Sequence, residues 1–204
     1  MCRKIAFNDP GGRQAGGDVL QDDGEAMDLI VEGRRGAIEG RAMLGERSYV
    51  CRLGRSGIVP DKREGDGATP VGRFPLRQVF YRPDRGAAPQ TSVPSRALAK
   101  TDGWCDEPAS AQYNRAVTLP FADSHEEMWR ADSLYDLVVV IGHNDSPVIP
   151  HMGSAVFLHV ASPDGGPTAG CVAFAKADLL EILSQLTATD HVSIRLEETP
   201  QASA

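Results

Sequence analysis

Apolar and polar residues alternate through "MDLIVEG" (27–33), "AIEGRAMLG" (37–45) and "RSYVCRLG" (47–54), three runs separated by glycine turns. A period of two predicts half-buried antiparallel strands. "GRFPLRQVFYR" (72–82) reads as a further strand. "LYDLVVVIGH" (134–143) reads as a strand buried on both faces, with "SAVFLHV" (154–160) as its neighbour in the core. "HVSIRLE" (191–197) closes the series. Two stretches take a helical period instead. "KADLLEILSQL" (176–186) sets Leu179, Leu180, Ile182, Leu183 and Leu186 on one face. "DSHEEMWR" (123–130) offers a capping box, Ser124 with Glu127 three residues on, and predicts a short helix. The proline-rich segment from Pro83 to about Leu119 shows no period and reads as a long irregular loop that is functional or covers something. Strands dominate, so the expected class is mainly β, a sandwich or barrel with a few short helices.

Composition adds the outer limits. A chain of 204 residues, 41% of them hydrophobic, buries a substantial core as one domain. Residues 1–26 read as a poorly ordered polar tail and 27–198 as the domain, with no repeat and no second unit. The formal charge of −7 argues against nucleic-acid binding. "GRRG" (33–36) and "PDKRE" (60–64) are the basic patches, both read as solvated surface. "LVVVI" (137–141), the longest aliphatic run, is too short to span a bilayer, so no membrane insertion is expected. The N-terminal stretch shows no apolar run or small-residue cleavage site of a secretory signal. The chain reads as a monomer.

Four cysteines, at positions 2, 51, 105 and 171, lie too far apart for a zinc motif or a dense disulfide framework. Cys171 stands out. It follows Gly170, which allows close backbone approach to a ligand. It precedes the turn into the 176–186 helix, whose N-terminus would favour a thiolate. It also lies one glycine-rich loop after His159, a ready general base. Backbone N–H groups around "AGCV" offer an oxyanion site. On the residues alone, a catalytic Cys171–His159 pair and ordinary core packing both remain open. His143, His151 and His159 recur at equal spacing, but the "SPVIPHMGS" turn carries His151 outward, and no metal site is expected. "GDGATPVGRF" (65–74) lacks the Gly-Lys-Ser/Thr of a phosphate loop and reads as a turn into a strand.

"EGDGATPVGRFPL", "VVIGHND", "GSAVFLHV" and "PTAGCVAF", in that order, resemble the L,D-transpeptidase catalytic domain, the YkuD-like domain, from about Asp28 to Arg195. That family carries a T-P-x-G-x-F element, matched by Thr69, Pro70, Gly72 and Phe74. A histidine ends a strand, matched by His159. A loop then closes on Ser/Thr-His-Gly-Cys, matched by Thr168, Gly170 and Cys171. Two positions depart from the pattern: Ala169 stands where the loop histidine is usual, and Ala173 where an arginine often follows.

The resemblance implies a cysteine acyltransferase without cofactor. Cys171 would attack a peptidoglycan stem tetrapeptide between the diamino acid and the terminal D-alanine. His159, its imidazole oriented by a backbone carbonyl, would move the proton. Gly170 and Cys171 would hold the oxyanion beside Thr168, and the amine of a second stem peptide would resolve the thioester. His143 and Asn144 are expected to line the cleft, His143 substituting for the missing loop imidazole; a turn-capping role suits Asn144 as well. The rivals are a thiol carboxypeptidase or amidase, and a non-catalytic envelope-binding domain of the same fold. Peptidoglycan chemistry implies the periplasm or cell envelope, against a sequence with no visible export signal.

Overall fold

A computed structural model describes residues 27–197 of the chain; the tail expected over residues 1–26 and the expected domain end at 198 lie outside the described residues. The three alternating runs form β1 (Asp28–Gly33), β2 (Glu39–Leu44) and β3 (Arg47–Arg52). Every second side chain is buried, among them Leu29, Val31, Ala42, Leu44, Tyr49 and Cys51. Then follow the two-residue strands β4 (Ile58–Val59) and β5 (Thr69–Pro70), the long β6 (Gly72–Tyr81), and the short β7 (Ser95–Ala97), β8 (Asp102–Cys105), β9 (Ala116–Thr118) and β10 (His125–Glu127). The last third of the chain supplies β11 (Leu137–Ile141), β12 (Phe157–Val160), β13 (Val172–Phe174), the helix α1 (Lys176–Gln185) and β14 (His191–Leu196).

The main sheet runs β11-β12-β13-β3-β2-β1-β14-β6-β7, and a further β11–β6 pairing closes it into a barrel. The fold is therefore mainly β, as the alternation predicts. Its principal core gathers Leu29, Val31 and Leu44 with Leu158, Val172 and Phe174, and α1 adds Leu179, Ile182 and Leu183. Leu180, expected on the same helical face, is instead 38% exposed. Three consecutive strands put side chains on both faces of their sheet, because the side-chain period of a strand is two. Leu137, Val139 and Ile141 of β11 enter the principal core, whereas Val138 and Val140 enter a second cluster. In β12, Leu158 and Val160 face the core and Phe157 the second cluster. In β13, Val172 and Phe174 face the core. His159 and Ala173 therefore share the second face with Phe157.

Two expectations fail here. The segment from Pro83 to Leu119 is not a plain loop. It contains β7, β8 and β9, and β8 and β9 join β10 in a separate sheet of order β10-β8-β9. The capping box at 123–130 does not start a helix: residues 125–127 are β10, paired with β8 through His125↔Cys105, Glu126↔Trp104 and Glu127↔Gly103. A one-turn helix would be marginal in isolation. The strand pairing instead satisfies its backbone and buries Met128 in the second cluster. His125, expected in that helix, lies in β10. This small sheet covers the second face, with Trp104 edge-on to Phe157 at 5.0 Å between ring centroids.

Candidate active site

β12 and β13 run parallel, with Leu158 opposite Val172 and His159 opposite Ala173. Cys171, immediately before β13, thus lies diagonal to His159 on the second face. Both residues line one cavity of about 390 Å³. Their loop is fixed by hydroxyls. Thr168 Oγ1 donates to the Cys171 carbonyl at 2.7 Å and accepts the Gly170 N–H at 3.0 Å. Thr69 Oγ1, fully buried, donates to the same carbonyl at 3.4 Å and accepts the Gly54 N–H at 2.9 Å. The upstream T-P element therefore braces the cysteine from the far side of the sequence. Gly170 has φ +147°, and a Cβ there would stand 2.8 Å from the Ala68 carbonyl oxygen, so only glycine fits.

The thiol faces backbone. Cys171 Sγ donates to the Ala155 carbonyl at 3.2 Å and accepts the Phe157 N–H at 3.4 Å. Ala155 holds φ +51°, costly for a residue with a Cβ. Its N–H is fixed to Asn114 Oδ1 at 3.1 Å. Burial pushes the Cys171 thiol up to about 12, assisted by the Glu126 carboxylate and opposed by the Phe157 N–H and the Lys62 ammonium. The helix does not lower it. β13 separates the cysteine from α1, which begins at Lys176, and a helix-terminal field fades within the first turn.

His159 is buried beneath Tyr135, ring centroids 5.5 Å apart and edge-on. Its Nδ1 lies 2.8 Å from the Val160 carbonyl, which fixes the proton on Nδ1 and leaves Nε2 as an acceptor. Burial lowers its pKa to about 4, only partly offset by that carbonyl, so the ring is neutral at neutral pH.

The other residues singled out in the sequence divide. Thr168 and Gly170 line the cavity. The Gly170 N–H, expected to face an oxyanion, is taken by Thr168 Oγ1. His143 is not in the cleft. Its Nε2 meets the Met152 carbonyl at 3.1 Å, its ring packs edge-on against Phe74, and it lines a different cavity with Arg77 and Trp104. β11 ends at Ile141, and the chain turns there away from His159. Asn144 is a turn residue. At φ +48° its side chain bonds Ile149 on both N–H and C=O and also reaches the Gly153 carbonyl. The three evenly spaced histidines do not converge, since His143, His159 and the exposed turn residue His151 keep separate surroundings. Among the described residues, no group of three or more His, Cys, Asp or Glu is placed to hold a metal ion.

The sequence reading missed the charged wall. "PDKRE" is solvated surface only in part: Pro60, Asp61 and Arg63 are exposed, but Lys62 is buried, and Lys62 and Glu64 line the cavity. Glu64 accepts hydroxyl hydrogen bonds from Tyr113 at 2.5 Å and Ser154 at 2.7 Å. Opposite stands Glu126, whose carboxyl burial raises in pKa despite the Tyr135 hydroxyl bonded to it. The spacing of Lys62 and Asp66, four residues apart, was the one available signal.

Sequence comparison bears on the same residues. A family model, YkuD, the L,D-transpeptidase catalytic domain, matches residues 30–194. No curated protein matches the chain in sequence. Among solved structures, L,D-transpeptidase 1 of Mycobacterium tuberculosis is similar at 13% identity and TM-score 0.36, covering 84% of this chain and 62% of its own. An L,D-transpeptidase from Mycobacterium smegmatis gives 11% identity and TM-score 0.35, over 83% of this chain and 59% of its own. The chain thus spans about three fifths of the length of those structures. The family match covers both strands of the cavity, its glycine-rich loop and the threonine brace, and the chain belongs to the YkuD family of L,D-transpeptidase catalytic domains.

Proposed function

We propose that the protein is a cysteine-dependent L,D-transpeptidase acting on peptidoglycan stem peptides through a thioacyl-enzyme. One observation carries this reading: Cys171 and a neutral, carbonyl-anchored His159 open into the same cavity on one face of two paired strands. Burial raises the thiol and lowers the imidazole, the wrong directions for a resting ion pair. The thiol proton therefore passes to His159 Nε2 as Sγ closes on the carbonyl, when the negative charge moves onto the substrate oxygen. The Cys171 N–H is the local donor for that oxygen, since the Gly170 N–H is engaged elsewhere. Collapse expels the amine of the terminal D-alanine, which takes the proton from His159, and leaves the thioester. The amine of a second stem peptide attacks the thioester, gives its proton to His159, and forms the cross-link as the thiolate leaves and is reprotonated. Site of action follows from substrate: the cell envelope. No helix among the described residues is long and apolar enough to cross a membrane.

The test is product analysis with a stem tetrapeptide, with and without an amine acceptor. Transfer predicts D-alanine release and a cross-linked product that grows with acceptor concentration. Release of D-alanine at the same rate with only free tripeptide formed would make the protein a hydrolase, and no release at all would overturn the reading.

A further inference from the structure

Ala169 leaves the nucleophile loop without an imidazole, and His143 faces elsewhere. The side chain that the fold does bring to this loop is Lys62, only 5% exposed. Its stem passes Gly153, where an added Cβ would stand 3.0 Å from both Cγ and Cε of the lysine. Its ammonium ends beside Gly170, 3.6 Å from the position a Cβ would take. Both glycines hold positive φ, +95° and +147°, so the lysine runs along two backbone sites that carry no side chain. Nζ donates to Asp66 Oδ1 at 2.5 Å and to the Arg63 carbonyl at 2.8 Å. An ammonium has three N–H groups, and one is left for the cavity that Lys62 lines with Cys171 and His159. Asp66 is held in turn by the N–H groups of Arg63 and Ala68, each at 2.8 Å. Burial raises its pKa, but the Lys62, Ala68 and Arg63 hydrogen bonds outweigh this and keep it ionised. A buried ammonium is costly without such pairing, so this one is a positioned charge and not a drifting surface lysine.

We propose that Lys62 is the cation that stabilises negative charge on Cys171 and on its tetrahedral adduct, in place of an imidazole at position 169. The adduct half rests on the proposed transfer reaction; the thiol half needs no acyl donor and rests on the shared cavity and the approach of Lys62 to Gly170. The charged and titratable groups around the thiol are Lys62 with Asp66, Arg63 and Glu64 on its own segment, Arg55 from the neighbouring loop, His143 behind Gly153, and Asp106, Glu126, Arg130, Tyr135 and His159 across the cavity. Of the two charges acting directly on the thiol, Glu126 opposes its ionisation and Lys62 favours it.

The test is alkylation of Cys171 by iodoacetamide at about pH 7, where the thiolate fraction falls tenfold for each unit the pKa rises, offset in part by the greater nucleophilicity of the more basic thiolate. Peptide mapping separates Cys171 from Cys2, Cys51 and Cys105, and melting temperature checks each variant's fold. Lys62→Met and Lys62→Gln are expected to slow alkylation of Cys171 about tenfold or more, whereas Lys62→Arg stays within about threefold of the wild type. A folded neutral variant alkylated at the wild-type rate would overturn the proposal. Should both neutral variants fail to fold, Asp66→Asn removes the counter-charge and is expected to speed alkylation; an unchanged or slower rate would overturn it equally. No acyl donor enters the assay, so failure of stem-peptide transfer leaves this result standing, and equal rates in all variants remove Lys62 without touching transfer.

Discussion

The two faces of β12 and β13 make different demands on adjacent residues. One face is the principal core, where Leu158, Val160, Val172 and Phe174 meet other apolar side chains and need only volume and shape. The other carries Phe157, His159 and Cys171, and its polar atoms are satisfied by backbone groups: Val160 C=O, Ala155 C=O and Phe157 N–H. Core packing and the candidate site are thus separated by a single step along the strand. The rigid aliphatic face fixes the register, and register in turn sets the thiol diagonal to the imidazole.

Substitutions on the two faces should break the molecule in opposite ways. The largest contrast is Cys171→Ala against Leu158→Ala. The first is expected to reduce transfer at least about a thousandfold with melting almost unchanged. The second should cost about 2–5 kcal/mol of stability by leaving a cavity. Steady-state kinetics beside thermal melts measures both, and a stable, active Cys171→Ala would remove the nucleophile assignment.

His159→Gln should come next, with kcat/KM down by about 10²- to 10⁴-fold. It also carries a pH signature. The folded-state pKa of His159 lies at about 4, below its ordinary value of 6.5. The unfolded chain therefore takes up a proton first as pH falls, and stability is lost progressively from about pH 6.5 down to pH 4. Melts across that range should slope more gently in His159→Gln than in the wild type; parallel slopes would contradict a buried neutral imidazole.

Thr168→Val tests the brace. It deletes the hydroxyl that joins Gly170 N–H to Cys171 C=O. A loss of about 1–3 kcal/mol in stability with about a tenfold fall in kcat is expected, because the Gly170 N–H loses its partner and the Cys171 carbonyl keeps only the longer Thr69 bond. The smallest effect is assigned to His143→Ala. Its ring lies in another cavity, so kcat/KM should stay within about threefold, less than 1 kcal/mol of barrier. A larger loss would return His143 to the cleft.

Much of this was legible because it depends on period. Alternation marks β1–β3, apolar runs mark β11 and its core neighbour β12, and spacing marks α1. His159 and Cys171 stood out as a histidine at a strand end and a cysteine after glycine, with core packing left open by the residues alone, and both line one cavity. What was hidden depends on partners distant in sequence. β10 looked helical because Ser124 and Glu127 fit a cap, but pairing with β8 decides its state. β13 has only three residues, between β12 and β3, too few to show a period. Lys62 and Glu64 looked solvated because the groups that enclose them, Ser154, Tyr113 and Gly153, come from far along the chain. His143 looked like a cleft residue from its nearness to a core strand, and the turn after Ile141 takes it away.

The most direct test of the central claim is covalent capture. A stem tetrapeptide, and in parallel a carbapenem, whose strained lactam carbonyl offers the same thiol an electrophile, is mixed with the protein, quenched in acid and examined by intact-mass and peptide-mapping mass spectrometry. The account predicts one acyl adduct on the peptide containing Cys171, accumulating faster than turnover when no acceptor amine is present and absent from Cys171→Ala. An adduct on Cys51 or Cys105, or D-alanine released by a wild-type protein that never carries an acyl group on Cys171, would contradict it.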